Sequence, residues 1–322
     1  MNNENKNDTN FAFSEVDEVK GKRKDRRRRR RIILIIFGII LAILLYFGLD
    51  IYFRLNNMFN TIHQEVPSID LRRRDNLPAI VLGETPFSVL ILGLDGPRSD
   101  TMMVATVNPN LGTTYLLSIA RDTMVDIPGF WTTRINHAHA YGGVSLSIDT
   151  VQNFLDIPID YYATLHMDGF SDLVDAFGGV TVYNNTVDFS LGGYHFPRGY
   201  IDLTGNQALY YVRMRMGDPL GDFGRQERQR DVLAAMADSL IGVSTVTRYQ
   251  GIMDATSDHM RTDVTLAEMV RISTGYAGAL GNITNLNMHY PGRIINGMYL
   301  IPIPEESRLA MSNRLRNHLE LD

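Results

Sequence analysis

The 322-residue chain contains no cysteine, so neither disulfides nor thiolate chemistry can contribute to its fold or its site. Three common catalytic signatures are also missing. No HExxH or other ligand spacing accompanies His137 and His139 in INHAHAYGG, which leaves them as packing or helix-end residues. No G-x-S-x-G surrounds Ser99 or Ser118, which argues against a serine hydrolase. No lysine-bearing Walker pattern follows Gly142-Gly143 or Gly178-Gly179, so both pairs read as helix stops. Beyond the N-terminal arginines there is no internal repeat and no low-complexity tract.

Charge is distributed unevenly. Residues 1–31 hold eleven of the 31 Lys and Arg and six of the 36 Asp and Glu, leaving 20 basic and 30 acidic residues in the remainder. A net-negative body argues against a nucleic-acid surface as its main business. Between the two parts, Ile32 to Leu49 is eighteen residues without a charge. At about 1.5 Å per helical residue, this run comes close to spanning a hydrocarbon core of roughly 30 Å. Six arginines, Arg26 to Arg31, precede it, and such charge stays on the cytoplasmic side. Tyr46, Phe47, Tyr52 and Phe53 cluster at the far end, where amphipathic rings favour the membrane–water interface. The pattern predicts a cytoplasmic tail over 1–31, an uncleaved single-pass anchor over 32–53 and an exported remainder. A cleaved signal peptide fits less well, because the apolar run is long and no small-x-small site follows it. The arginines are explained by topology and by contact with anionic lipid headgroups.

Residues 54–86, with Pro67, Pro78 and Pro86 and the stretch Arg72-Arg73-Arg74-Asp75, read as a partly helical stalk. Folded pattern begins at Phe87. FSVLILGL, TMMVATV and TYLLSI are three strands apolar on nearly every residue, as expected for strands buried on both faces. Helices are predicted from Ile135 to Ala140, from Ser145 to Leu155 and from Gly169 to Phe177; DYYATLHM and VTVYN read as strands. TGNQ at Thr204–Gln207 has capping-box spacing and opens ALYYVRMR, and RQERQRDVLAAMADSL starts a helix at Arg225. TLAEMVRISTGYAGAL and ESRLAMSNRLRNHL supply two later helices. Strands interleaved with helices indicate an α/β fold, a three-layer α-β-α sandwich with a central mixed sheet over 87–322.

Two constellations carry chemistry. Asp95 and Asp100 flank the loop DGPRSD, where two carboxylates can converge at a sheet edge. They read either as ordinary turn aspartates or as a site for a divalent ion, since Mg2+ uses one or two protein carboxylates and completes its shell with phosphate oxygens and water. The second is a set of guanidiniums: Arg98, Arg121, Arg213, Arg215, Arg225 and Arg228. Arg225, Arg228 and Gln229 share a helical face near a helix N-terminus, where cations oppose the dipole unless an anion binds between them. The alternative is a set of solvated ion pairs with Asp218, Asp222, Glu227 and Asp231. The apolar stretches Val151–Leu155, Phe170–Phe177 and Val232–Leu240 can line a slot between sheet and helices or simply form core.

The segments LILGLDGPRSDTMMVATVNP, LLSIARDTMVDIPG, INHAHAYGG, IPIDYYATLHMDGFSDLVDAFGGVTV, LTGNQALYYVRMR and GDFGRQERQRDVL together resemble the LytR-CpsA-Psr family of bacterial envelope proteins. They occur in family order from about Phe87 to Leu240, and the likeness is looser after Ile241. SIARD resembles the family's SIPRD, with Ala120 where proline is usual. The resemblance implies a phosphotransferase that moves a glycopolymer, of teichoic-acid or capsular type, from a polyprenyl-pyrophosphate carrier to a sugar hydroxyl of peptidoglycan. It implies that Asp95 and Asp100 bind Mg2+ or Mn2+, and that Arg98, Arg121, Arg213, Arg215, Arg225, Arg228 and Gln229 hold the substrate. It nominates Arg121, Asp122 and Asp222 as catalytic, with Asp122 or Asp222 accepting the hydroxyl proton. Partners are then membrane lipid, lipid-linked polymer and peptidoglycan, with no nucleic acid. Two alternatives use the same chain: a lipid-pyrophosphate hydrolase with water as acceptor, and a non-enzymatic membrane-bound regulator.

Overall fold

The computed structural model describes residues 41, 45–66, 80–185, 187–239, 251, 254–255 and 257–321. Most of the apolar run 32–49, the arginine run and stalk residues 67–79 fall outside them. Among the described residues no helix is long and apolar enough to cross a membrane. Two compact units are resolved, Met1–Leu55 and Asn56–Asp322. The second contains all the strands and is described below.

Its centre is a six-stranded mixed sheet. The strands are β1 (Phe87–Asp95), β2 (Arg98–Asn108), β3 (Thr113–Ser118), β6 (Tyr161–His166), β11 (Met260–Thr262) and β12 (Ile283–Asn287), in the order β11-β6-β1-β2-β3-β12. The first three form an antiparallel meander, because two- and four-residue turns leave no room for a crossover. β6 runs parallel to β1 and β12 parallel to β3, each reached through helices.

Helices cover both faces, as strands without an outward polar face require. Leu90 and Leu92 of β1, Met102 and Val104 of β2 and Leu117 of β3 pack with α1 (His137–Leu155) and α7 (Glu305–His318) in the larger core. The alternate side chains Phe87 and Val107 point the other way. There they meet Ile272 of α5 (Leu266–Gly275) and Ala279 of α6 (Ala277–Leu280), with Tyr276 between the helices. The Phe87 and Tyr276 rings meet edge to face at 4.8 Å. Burying such a ring contributes about 1.5–3 kcal/mol. A third core joins α2 (Phe170–Phe177), α3 (Gly205–Arg213) and α4 (Asp222–Ser239) to β7 (Val180–Asn184).

The glycine pairs behave as punctuation. Gly142 and Gly143 leave helical geometry and divide α1, and Gly178 caps α2 at φ 88. The capping box is formed: the Thr204 backbone N–H donates to Gln207 Oε1 at 2.9 Å. Several expectations are corrected. β7, apolar enough to read as a sheet strand, pairs only with β10 (Gly199–Leu203) in a separate ribbon. The expected stalk is partly domain: Phe59 and Ile62 are buried, and Tyr162 Oη donates to the Gln64 carbonyl at 2.6 Å. Short hairpins too brief to show a period, β4 (Met124–Asp126) with β5 (Thr132–Arg134), β8 (Phe189–Leu191) with β9 (Tyr194–Phe196), and β13 (Arg293–Ile295) with β14 (Met298–Leu300), were not legible.

Candidate active site

The site grows out of the closed end of the β1–β2 hairpin. Gly96 and Pro97 make the turn, with Gly96 at φ 59 supplying the positive φ needed at the first central position. Asp95 pairs with Arg98 and Leu94 with Ser99, yet the next pair is Gly93 with Thr101. Asp100 is therefore one residue in excess. It stands opposite no residue of β1, in a β-bulge of the kind that re-aims a side chain. Gly93 is needed beside it, because a Cβ there would lie 2.8 Å from Thr101 Cβ. The expectation of two aspartates flanking a loop is thus corrected: Asp95 ends β1, Asp100 lies inside β2, and two residues make the turn.

The bulge frees a backbone carbonyl, and Arg225 Nη2 of α4 donates to that Asp100 oxygen at 3.2 Å. Arg225 Nη1 also lies 4.0 Å from Asp100 Oδ2. The helix starts at Asp222, one turn ahead of the expected start at Arg225, and Asp222 Oδ1 forms an ion pair with Arg225 Nη2 at 2.9 Å. Arg121, just after β3, donates from Nη1 to Asp100 Oδ2 at 2.8 Å. Its Nε is 3.8 Å from Asp122 Oδ2, and Asp122 Oδ1 is 3.2 Å from Arg134 Nε. Arg213, the last residue of α3, brings Nη2 within 3.8 Å of Asp95 Oδ2.

These side chains surround a cavity of about 280 Å³ lined by Asp95, Asp100, Thr101, Arg121, Met167, Val212, Arg213, Arg215, Arg225 and Gln229. Four guanidiniums against two carboxylates leave the lining two charges positive. Burial disfavours the charge on Arg225 and lowers its pKa, with the neighbouring Arg121 and Arg215 adding to the effect. Burial acts the same way on Arg121, but Asp100, Asp222 and Asp122 together outweigh it and its pKa is raised. Both stay protonated, as guanidiniums do. Three lining side chains keep a buried polar atom without a hydrogen bond: Arg121 Nε, Arg225 Nε and Gln229 Oε1. Such atoms cost about 1–3 kcal/mol each unless a ligand or water satisfies them. The excess of guanidinium over carboxylate in one cavity marks an anion site.

The sequence-nominated residues divide. Asp95, Asp100, Arg121, Arg213, Arg215, Arg225 and Gln229 meet at the cavity. Arg228 does not. Its side chain is 1% exposed, with Nη1 on Asp218 at 2.5 Å, Nε on the Tyr211 carbonyl at 3.0 Å and Nη2 on the Met214 carbonyl. At that burial no substrate reaches it, and the pairing with Asp218 is the ion-pair alternative at that position. Arg98 is exposed at the end of β2 and does not line the cavity. Asp122 and Asp222 stand behind the lining, each holding an arginine. Sequence reasoning missed Thr101, Met167 and Val212 in the walls, and Arg134, which sits in a three-residue strand with no pattern to flag it.

Among the described residues no three His, Asp or Glu gather as a metal cluster. Asp95 and Asp100 are the two carboxylates of the cavity lining. Two carboxylates suit Mg2+ where a phosphorylated ligand supplies further oxygens. His137 instead accepts or donates at Nδ1 to Thr133 Oγ1 at 3.0 Å, and His139 Nδ1 contacts the Pro97 carbonyl at 3.0 Å, the helix-end role expected of them. The described buried residues of the three apolar stretches fall into two cores. Val151, Phe154 and Leu155 belong to the larger core, while Phe170, Leu173, Val174, Val232 and Met236 belong to the third.

The LytR_cpsA_psr family matches residues 45–317 of the chain. The chain is 41% identical over 294 residues to the polyisoprenyl-teichoic acid–peptidoglycan teichoic acid transferase TagU of Halalkalibacterium halodurans, with 89% of this chain and 96% of that protein covered. Two solved structures are similar. TagV of B. subtilis superposes with a TM-score of 0.64 at 31% identity, covering 74% of this chain and 98% of that one. TagT bound to LIIa-WTA gives a TM-score of 0.64 at 29% identity, covering 76% and 94%.

Proposed function

Since the chain belongs to the LytR_cpsA_psr family, we propose that it transfers a teichoic-acid-like or capsular glycopolymer from a polyprenyl-pyrophosphate carrier to a peptidoglycan sugar hydroxyl. The observation that carries this reading is the cavity in which Arg121, Arg213, Arg215 and Arg225 outnumber Asp95 and Asp100 by two charges. A pyrophosphate diester linking polymer to lipid carries two negative charges, the sign that such a lining attracts. The acceptor oxygen attacks the phosphorus that bears the polymer. The bond from that phosphorus to the bridging oxygen breaks, polyprenyl phosphate leaves, and the hydroxyl proton passes to water.

Phosphoryl transfer of this kind depends on positioning and charge stabilisation, so no strong protein nucleophile is needed. Arg121 and Arg225 line the cavity and present their guanidinium charge to phosphate oxygens. Asp122 and Asp222 act through these arginines as positioning residues, because neither lines the cavity within reach of an acceptor hydroxyl. Asp95 and Asp100 would hold Mg2+ or Mn2+, which when bound neutralises charge on the pyrophosphate oxygens. The uncharged run 32–49 behind six arginines supports a single-pass anchor with the domain on the outer face, where lipid-linked donor and peptidoglycan both lie.

The test is the full chain supplied with lipid-linked pyrophosphate polymer, a peptidoglycan oligomer and Mg2+. Polymer joined covalently to glycan is the expected product. Release of phosphorylated polymer alone would assign a hydrolase, and no turnover would remove both enzyme readings.

A further inference from the structure

Phe130, Trp131 and Tyr141 are large aromatic side chains that pack on one another outside every core of the domain. The Phe130 and Tyr141 rings stack at 4.8 Å and 23°, Trp131 lies 5.6 Å from Tyr141, and Phe130 lies 6.0 Å from Trp131. Yet the three are 45%, 61% and 36% exposed. They come from two elements, the β4–β5 turn and the first segment of α1, so the cluster is a tertiary feature and not a run in sequence. Three exposed rings in mutual contact make an apolar patch, and contiguous patches mark binding surfaces where single exposed side chains do not.

We propose that these three rings form a stacking platform for the sugar rings of the acceptor glycan, adjoining the arginine-lined cavity; this rests on the transferase reading above. Chemistry and position favour a sugar. The face of a pyranose presents C–H groups to an aromatic ring while its rim of hydroxyls needs polar partners. Asp126 and Thr132, hydrogen-bonded to each other at the base of the same hairpin, supply them. The hairpin that carries two of the rings also reaches the ion pairs behind the cavity. Tyr141 Oη is 3.5 Å from His137 Nδ1. Arg134, at the other end of β5, holds Asp122, which in turn adjoins Arg121 of the cavity. Trp131 and Arg134 are three strand residues apart, roughly 10 Å. An acceptor strand seated on the rings would thus place a neighbouring sugar near the phosphate site. A membrane surface is the competing occupant, but the exposed charge beside the rings on this hairpin is Asp126, which anionic headgroups disfavour.

Trp131 is the sole tryptophan, so its emission reports the platform directly. The full chain is reconstituted in nanodiscs of phosphatidylcholine, and in a second set containing phosphatidylglycerol, then titrated with soluble glycan strands of peptidoglycan. A saturable emission change with glycan, alike in both lipids, is expected. In transfer assays Trp131→Ala should raise the KM for acceptor glycan about tenfold, with the donor KM within about twofold and partial recovery in Trp131→Phe. Leu111→Ala, an exposed apolar side chain at the far end of β2, serves as the unaffected control. Normal transfer with an unchanged acceptor KM in Trp131→Ala and no glycan response would overturn the platform and leave the transferase reading standing. A glycan response without transfer by the wild type would support the platform as a glycan site and overturn the transferase reading. Emission that follows lipid composition and ignores glycan would assign the rings to the membrane and overturn the platform.

Discussion

Arg228 and Asp218 meet at 2.5 Å with side chains 1% and 0% exposed, and together they fasten α4 to the loop that follows α3. Arg228 also takes up the carbonyls of Tyr211 and Met214. Removing the guanidinium leaves a buried carboxylate without its cation, held by the Leu220 N–H, and takes the arginine donors from two carbonyls. Arg228→Ala should therefore cost about 3–5 kcal/mol, read as a lowered urea midpoint. A wild-type midpoint would show that the pair holds nothing.

Arg121 presents the opposite profile. It is a fifth exposed and faces the cavity, so Arg121→Ala removes charge from the site and little from the core. Turnover should fall by roughly 10²–10³-fold with only a small change in melting temperature. Arg121→Lys should recover part of it, because an ammonium keeps the charge and loses the fork that also reaches Asp100. Turnover near the wild-type rate in the alanine variant removes Arg121 from the mechanism.

The carboxylate pair makes a metal dependence measurable. Chelation with EDTA should stop turnover, and Mg2+ should restore it. Asp95→Asn and Asp100→Asn should each raise the Mg2+ concentration needed for half-maximal rate by at least about tenfold. Identical Mg2+ titrations in wild type and both variants would place the ion elsewhere.

His318 gives the fold a pH dependence remote from the site. The ring is buried, stacks on Tyr115 at 4.0 Å and contacts the hydroxyls of Thr106 and Thr113. Burial lowers its pKa from 6.5. The unfolded chain then takes up a proton near 6.5 while the folded chain does so only at lower pH. The histidine's contribution is complete above the unfolded value and is lost as pH falls through the folded one, at up to about 1.4 kcal/mol per pH unit. Urea midpoints at about pH 7.5 and about pH 5.5 should differ more in wild type than in His318→Gln. Equal drops in both proteins would assign the acid sensitivity to other groups.

What could be read from the sequence follows from the range of the interactions involved. The three meander strands, the glycine breaks and the Thr204 capping box are local patterns, and each is found where its residues predict. Arg225 and Gln229 share a helical face because spacing alone dictates it. Arg228 lies one turn from Arg225 on that helix, yet its fate depends on Asp218 in the preceding loop, which no periodicity reports. Asp122 and Asp222 were visible as acids, but whether they face a cavity or clamp an arginine depends on long-range packing. Phe130, Trp131 and Tyr141 are scattered through a loop and a helix and meet only in three dimensions.

The extra residue at Asp100 has a wider consequence. A regular β1–β2 ladder would need one residue fewer, and its backbone would ask nothing of Arg225. Deleting Asp100 would let the strand pairing run on unbroken, yet it would strip Arg121 and the buried Arg225 of a carboxylate they share. The irregular strand is thus the condition under which like charges can be gathered at one strand end.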